Sequence, residues 1–294
     1  MMKNKNFAVF ILSHGRANQL HTYRTLKRLN YTGKIYIIID NEDKTANDYI
    51  SKFGKENVFI FDKKKVASQI DTMDNFNNRK AIVYARNYNF KIAKQLNLEY
   101  FLQLDDDYGY FGYKIDKFKN YSIKTCHKLD EVFDLYLDFM KNTKSDAVAM
   151  AQDGDFIGGE NGGSFKKGLL RKCMNTWFLK TDNVIDFTGT LNEDYTASVY
   201  YGSLGKKIFT PIFISIKQPT TQKAAGGMTD AYLDNGTYVK TFYSIMKCPS
   251  FVKVSVMGTV HKRIHHKTKW NNAVPKILSE DHKKYNVVIS HKLK

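Results

Sequence analysis

Short apolar runs alternate with longer amphipathic segments through the first third of the chain, and the alternation has the rhythm of βα units. Phe7 to Leu12 reads as a buried strand, Asn18 to Leu29 as a helix, Lys34 to Ile39 as a strand, Thr45 to Phe53 as a helix and Asn57 to Phe61 as a strand. A longer helix from about Asn78 to Leu96 leads into a fourth strand, where Tyr100, Phe101, Leu102 and Leu104 supply the apolar, β-favouring positions. Strands alternating with helices predict an α/β fold, a mainly parallel sheet with helices on its faces. The second half is less regular. Leu129 to Asn142 has helical apolar spacing, Asp146 to Ala151, Trp177 to Lys180 and Lys207 to Lys217 read as strands, and Glu193-Asp194 opens a further helix. No internal repeat, coiled coil or proline-rich linker interrupts the chain, so one domain is expected.

Three of the predicted strands end in polar clusters: Ser13-His14-Gly15-Arg16, Asp40-Asn41-Glu42-Asp43 and Asp105-Asp106-Asp107. Ligands of open α/β sheets bind outside the carboxyl ends of the strands, so these tips are expected to share one site. Three adjacent carboxylates repel one another. A hard divalent cation, Mg²⁺ or Mn²⁺, that also touches substrate phosphates would neutralise them, the alternative being a solvated acidic turn. Arg86-Asn87 lies on the helix before the acidic strand, and Glu193-Asp194 and His265-His266 come later. The histidines are either a surface pair or borderline ligands that complete a divalent site. Asp153 to Gly168 holds six glycines without the spacing of a phosphate-cradling loop, and reads as a mobile substrate loop or a flexible surface loop.

The formal charge of +17 points to a polyanionic partner or to a solubilising surface. Seven Arg against 39 Lys is a bias that an AT-rich genome produces by itself, yet the cations recur in clusters: Lys63 to Lys65, Lys166-Lys167, Arg171-Lys172, Lys262-Arg263 through Lys269, and Lys283-Lys284. Three scattered cysteines, Cys126, Cys173 and Cys248, fit reduced structural thiols. The first apolar run is six residues long, too short for a signal segment or a membrane span. A cytoplasmic protein with no membrane partner is expected.

The acidic triplet at a strand end, with Arg86-Asn87 on the preceding helix, resembles the GT-A glycosyltransferases, whose Rossmann-like domain holds Mn²⁺ or Mg²⁺ through an Asp-x-Asp motif. More narrowly, ILSHGRAN, LQLDDDY and the closing GGMTDAY, GTYVKTFYSIM, RIHHK and PKIL segments look like the TET-associated glycosyltransferases of phages and the related base J glucosyltransferase, which glycosylate hydroxymethylated pyrimidines in DNA. The resemblance implies a GT-A fold with an irregular C-terminal extension. Residues 1–110 would form the nucleotide-sugar-binding half and 111–294 the acceptor-binding half. Asp107 would be the direct metal ligand, with Asp105 and one of His265 and His266 beside it. Ser13, Arg16, Asp40, Asp43, Arg86, Asn87, Asp105 and Asp106 would surround a UDP-sugar. Asp194, or Glu193 next to it, would take the proton from the acceptor hydroxyl in an inverting transfer. Trp177, Tyr201 and Trp270 are stacking candidates for an extruded base, and a phage-encoded protein would act in the host cytoplasm. Two rivals are a GT-A enzyme with a glycan or protein acceptor, and a non-enzymatic nucleic-acid-binding protein.

Overall fold

A computed structural model describes residues 1–75, 79–218, 238–258 and 262–275. In chain order the first half comprises β1 (Phe7–Leu12), α1 (His21–Arg28), β2 (Lys34–Asp40), α2 (Ala46–Phe53), β3 (Val58–Phe61), α3 (Lys63–Ala67), α4 (Val83–Gln95) and β4 (Tyr100–Asp105). There follow β5 (Tyr110–Ile115), β6 (Tyr121–Thr125), α5 (Leu129–Thr143), β7 (Ala147–Val148), β8 (Ala151–Gln152), α6 (Gly163–Lys167), β9 (Leu169–Leu170) and β10 (Trp177–Lys180). Last come α7 (Glu193–Ser203), β11 (Ile208–Pro211), β12 (Ile214–Lys217), α8 (Val239–Lys247), β13 (Val252–Met257) and β14 (Arg263–Thr268). The start expected for α4, Asn78, lies outside the described residues, and the helix itself begins at Val83.

The large sheet runs β3-β2-β1-β4-β10-β7-β11-β9, with β1 to β4 mutually parallel and β10 antiparallel to β4. Helices cover both faces, which is why β1 is apolar at every position. Phe7, Val9 and Ile11 enter one core cluster, whereas Ala8, Phe10 and Leu12 enter the other. Burial of each large side chain contributes roughly 1.5–3 kcal/mol. Register then places the site. Leu12 lies opposite Ile38 on one side and Asp105 on the other, so the chain segments after β1, β2 and β4 emerge from the sheet together.

A second sheet, β6-β5-β12-β8, is fed from the first. Asp146 to Ala151, expected as one strand, is two short ones. β7 pairs with β11 in the large sheet and β8 with β12 in the small one, because the Ala149 amide still bonds the Phe209 carbonyl of β11 whereas the Met150 amide leaves the ladder for the Thr176 hydroxyl. The Lys207 to Lys217 segment divides in the same way, into β11 and β12. β4 also crosses to β5, with Asp105 to Asp107 at the crossing. The described part of the C-terminal extension forms α8 and a two-stranded ribbon, β13 with β14, packed beside α7. No described helix is long and apolar enough to cross a membrane. All three cysteines are buried and free.

Candidate active site

The tips of β1 and β2 are bound to each other. Ser13 Oγ donates to Asp106 at 2.6 Å and Arg16 Nη1 donates to its second oxygen at 3.0 Å, so the middle carboxylate of the triplet is turned back toward β1. Gly15, at φ 68°, donates its amide to Asp43, which also accepts from the Thr45 amide and hydroxyl. Asp40 meets His14 Nδ1 at 2.8 Å and Lys63 Nζ at 3.2 Å. Burial works against the Asp40 charge, but His14 and Lys63 outweigh it and hold the carboxyl below its ordinary range, while the bond to Asp40 raises the His14 pKa. Lys63 of the first basic cluster is therefore buried in the fold.

Asp105 and Asp107 face another environment. Asp105 accepts from Arg86 Nη2 at 3.2 Å, and the Gln218 side-chain amide lies 3.4 Å from Asp105 and 3.5 Å from Asp107, at the long limit of a hydrogen bond. Burial pushes the Asp105 carboxyl up to about 7 against the opposing pull of Arg86, with Asp107, Glu193 and Asp106 adding to the rise. Asp107 is raised as well, by burial and then by Asp106. Arg86, 1 % exposed, donates to Glu193 Oε1 at 2.9 Å and to the Asn175 carbonyl at 3.3 Å. Its own burial opposes the charge, but Asp105, Glu193 and Asp194 more than compensate and its pKa rises.

Glu193 and Asp194 occupy the first turn of α7, where the helix dipole favours negative charge. Burial and Asp194 raise the Glu193 pKa despite Arg86. Asp194 accepts from the Asn175 amide at 3.1 Å and from the Tyr195 amide at 2.6 Å. Asn175, in the left-handed region at φ 58°, thus touches Arg86 and Asp194 through its backbone and Gln218 through its side chain, at 2.5 Å. Asn87 points away from this cluster and brackets the backbone of Phe187 with its amide.

His265 and His266 lie on β14. The His266 ring packs on Tyr195 with centroids 4.1 Å apart, and burial lowers the pKa of both histidines, that of His266 to about 3, which leaves the imidazoles neutral. Among the described residues no three of His, Cys, Asp and Glu form a group that could hold a metal on protein ligands alone. One stacking candidate is corrected. Trp177 is fully buried against Phe187 in the core and has no face to offer a base. Tyr201 hydrogen-bonds Asp186, and Trp270 carries the Arg171 guanidinium over its ring at 5.6 Å. Lys172 is paired with Asp155, whereas Lys166 and Lys167 sit on α6 with no such pairing among the described residues; Lys283-Lys284 lie outside the described residues. A cavity of about 710 Å³ opens between α3, α4 and residues 186–188, lined by Lys65, Tyr88, Lys91, Asp186 and Phe187 and, of the expected site residues, by Asn87 alone. The chemistry therefore gathers at the strand tips, away from this cavity. Asn175 and Gln218 were not expected from the sequence. Gln218 follows directly on β12, so the strand-tip rule that found Asp105 also reaches it; nothing in the sequence singles out Asn175.

The fold is a mixed, mainly parallel α/β sheet with an acidic crossing at the end of its fourth strand, and the family match makes the chain a glycosyltransferase. The chain belongs to the TET-associated glycosyltransferase family, whose model matches residues 7–227. A search of the curated proteins found no match. Among solved structures, a mycobacterial protein is similar at 9% identity and a TM-score of 0.47 over 89% of this chain and 83% of that one. Glucosyl-3-phosphoglycerate synthase from Mycobacterium tuberculosis, in complex with Mg²⁺ and UDP, is similar at 8% identity and a TM-score of 0.46 over 89% of this chain and 87% of that one. The same enzyme with Mn²⁺, UDP and phosphoglyceric acid gives 8%, 0.44, 89% and 86%. These likenesses are distant, and membership of the family rests on the match over residues 7–227.

Proposed function

We propose that the protein transfers a sugar from a UDP-sugar to the hydroxyl of a hydroxymethylated pyrimidine in DNA, with inversion. The observation that carries this reading is the convergence of Asp105, Asp107, Arg86, Glu193 and Asp194 at one strand crossing. Asp105 and Asp107 form an oxygen-donor pair whose charges are opposed by burial, the environment that a hard cation relieves. These two carboxylates, together with the donor diphosphate, would hold Mn²⁺ or Mg²⁺; His265 or His266 would join as a further ligand only with a shift of β14, since no three such side chains meet among the described residues, and the ion would supply charge neutralisation to the leaving diphosphate. Ser13, Arg16, Asp40, Asp43 and Asp106 fix the loop at the donor side. Arg86 keeps Asp105 and Glu193 oriented, and Asn87 holds the segment that leads to α7.

Asp194 takes the acceptor proton as the hydroxyl oxygen bonds to the anomeric carbon and the bond from that carbon to the diphosphate breaks. Two backbone amides aim its carboxylate without cancelling its charge. Residues 1–110 serve the donor and 111–294 the acceptor, within one domain. The net charge of +17 favours a DNA acceptor over a glycan or a protein.

The test is incubation of the full chain with Mn²⁺, a panel of UDP-sugars, and hydroxymethylated or plain DNA. Sugar is expected on the hydroxymethylated DNA alone, and Asp107→Asn is expected to abolish turnover with a near-normal melting temperature. Transfer to a glycan or protein instead would select the first rival, and absence of metal-dependent UDP-sugar turnover would select the second.

A further inference from the structure

The described residues from 238 onward contain seven Lys or Arg and no Asp or Glu. A region this one-sided cannot neutralise itself and needs an anionic surface or solvent. Much of its exposed surface lies on the β13–β14 ribbon. Register sorts the ribbon into two faces. Val252, Val254 and Val256 lie opposite Thr268, His266 and Ile264, and Lys253, Ser255 and Met257 lie opposite Lys267, His265 and Arg263. The first face starts buried at Val252 and ends in solvent, with Val254 55%, Val256 64% and Ile264 42% exposed. Three contiguous aliphatic side chains in water, bordered by cations on the other face of the same ribbon, have no role in the core.

The ribbon is anchored to the helix that carries Asp194. Tyr195, the next residue, packs its ring on His266 and hydrogen-bonds the Thr268 hydroxyl at 2.7 Å. Whatever the ribbon grips is thereby held beside the acidic cluster.

We propose that the β13–β14 ribbon is the element that grips duplex DNA, laying the face that carries Lys253, Arg263 and Lys267 along the phosphates, with Val254, Val256 and Ile264 on the opposite face. The inference rests on DNA being the acceptor and adds to that reading the surface that recognises the acceptor strand's duplex. Lys253 Nζ now donates to the Pro249 carbonyl at 2.8 Å, and Arg263 Nη2 lies 3.7 Å from Met257 Sδ; both contacts are at the surface and can be exchanged for phosphate.

The experiment is fluorescence anisotropy of the full-length protein with a short unmodified duplex over a range of salt, alongside UDP-sugar hydrolysis without DNA. Lys253→Glu, Arg263→Glu and Lys267→Glu combined should weaken duplex binding at least about tenfold and make the salt dependence shallower by about three in log–log slope, close to one per phosphate contact. Hydrolysis should be unchanged, which shows that the variant folds. The Lys253→Gln, Arg263→Gln, Lys267→Gln protein should fall between it and wild type. Val256→Ser with Ile264→Ser, on the opposite face, should leave duplex affinity and salt slope unchanged. Wild-type affinity and slope in the charge-reversed protein would overturn the ribbon proposal. So would ribbon-dependent binding to phosphatidylserine vesicles with no ribbon effect on DNA. A wild-type protein that hydrolyses UDP-sugar but binds no duplex at low salt would remove the DNA acceptor and the ribbon together. A protein that glycosylates DNA with or without its ribbon charges would remove the ribbon alone.

Discussion

The carboxylates at the tip of β2 and those at the tip of β4 end strands separated only by β1, yet their surroundings differ in kind. Asp40 and Asp43 are saturated by His14, Lys63, Gly15 and Thr45, and Asp40 is easier to ionise than a free carboxyl. Asp105 and Asp107 share one long-range glutamine amide and are harder to ionise, even with Arg86 on Asp105. One residue type thus does two jobs. At β2 the carboxylates are fully satisfied by the protein and shape the loop at residues 13–16, and at β4 they keep capacity for something the protein does not supply.

The difference between the two tips depends most on Arg86. Arg86→Met leaves Asp105 and Glu193 buried without their cation, and should cost about 3–5 kcal/mol in urea unfolding. A loss under about 1 kcal/mol would mean that the pair is not what holds α7 to α4. Next in size, Asp194→Asn should lower transfer to hydroxymethylated DNA by about two to four orders of magnitude while UDP affinity holds. If Glu193→Gln alone shows that loss, the proton goes to Glu193, and full activity in both variants would point to another base.

Gln218→Ala probes the β4 tip from the other side. Loss of the amide shared by Asp105 and Asp107 should weaken Mn²⁺ binding about 10- to 100-fold by calorimetry in the presence of UDP. In the same titration only one of His265→Ala and His266→Ala should match that effect, and equal small effects would return both histidines to a packing role. The smallest effect concerns pH. Asp40, with its folded-state pKa lowered, adds stability above the ordinary carboxylate range that is lost as pH falls through the lowered value. His14, raised, adds stability that is full below about 6.5 and is lost as pH rises through the raised value. Because His14 is half exposed, its share is at most about 1 kcal/mol. His14→Ala should lower the melting temperature by about 2–4 °C near pH 6 and by less in alkali. A gap that widens with pH would contradict the pairing.

The parallel half was legible because its strands are short apolar runs with polar tips, and a tip is where β1, β2 and β4 deliver Ser13, Asp40 and Asp105. Helix ends were less so. Nothing in Asn18-Gln19-Leu20 announces that α1 waits until His21, since that delay comes from a turn in which the Gln19 amide bonds the Arg16 carbonyl. The division of Asp146 to Ala151 between two sheets was invisible, because no Gly, Pro or turn residue marks a break inside it and the break is imposed by partners such as Thr176, far along the chain. Asn175 escaped for a related reason. Its importance lies in a left-handed backbone that directs one amide, one carbonyl and one side chain at three separate groups, and sequence character carries no trace of that.

Three of the chain crossings between the two sheets are short and direct: β4 to β5, β7 to β8 and β11 to β12. In mechanical terms the sheets are stitched by continuous backbone on several threads and cannot swing apart like leaves on a single hinge. The Lys114 amide, bonded to the Phe213 carbonyl at 2.8 Å, tightens the same seam. Among the described residues, motion that admits a large ligand is therefore expected on the α7 and ribbon side rather than at the seam. Hydrogen exchange reads this directly: the amides of Ala149 and Lys114 should exchange slowly whether or not ligand is present, and rapid exchange there would mean that the seam opens.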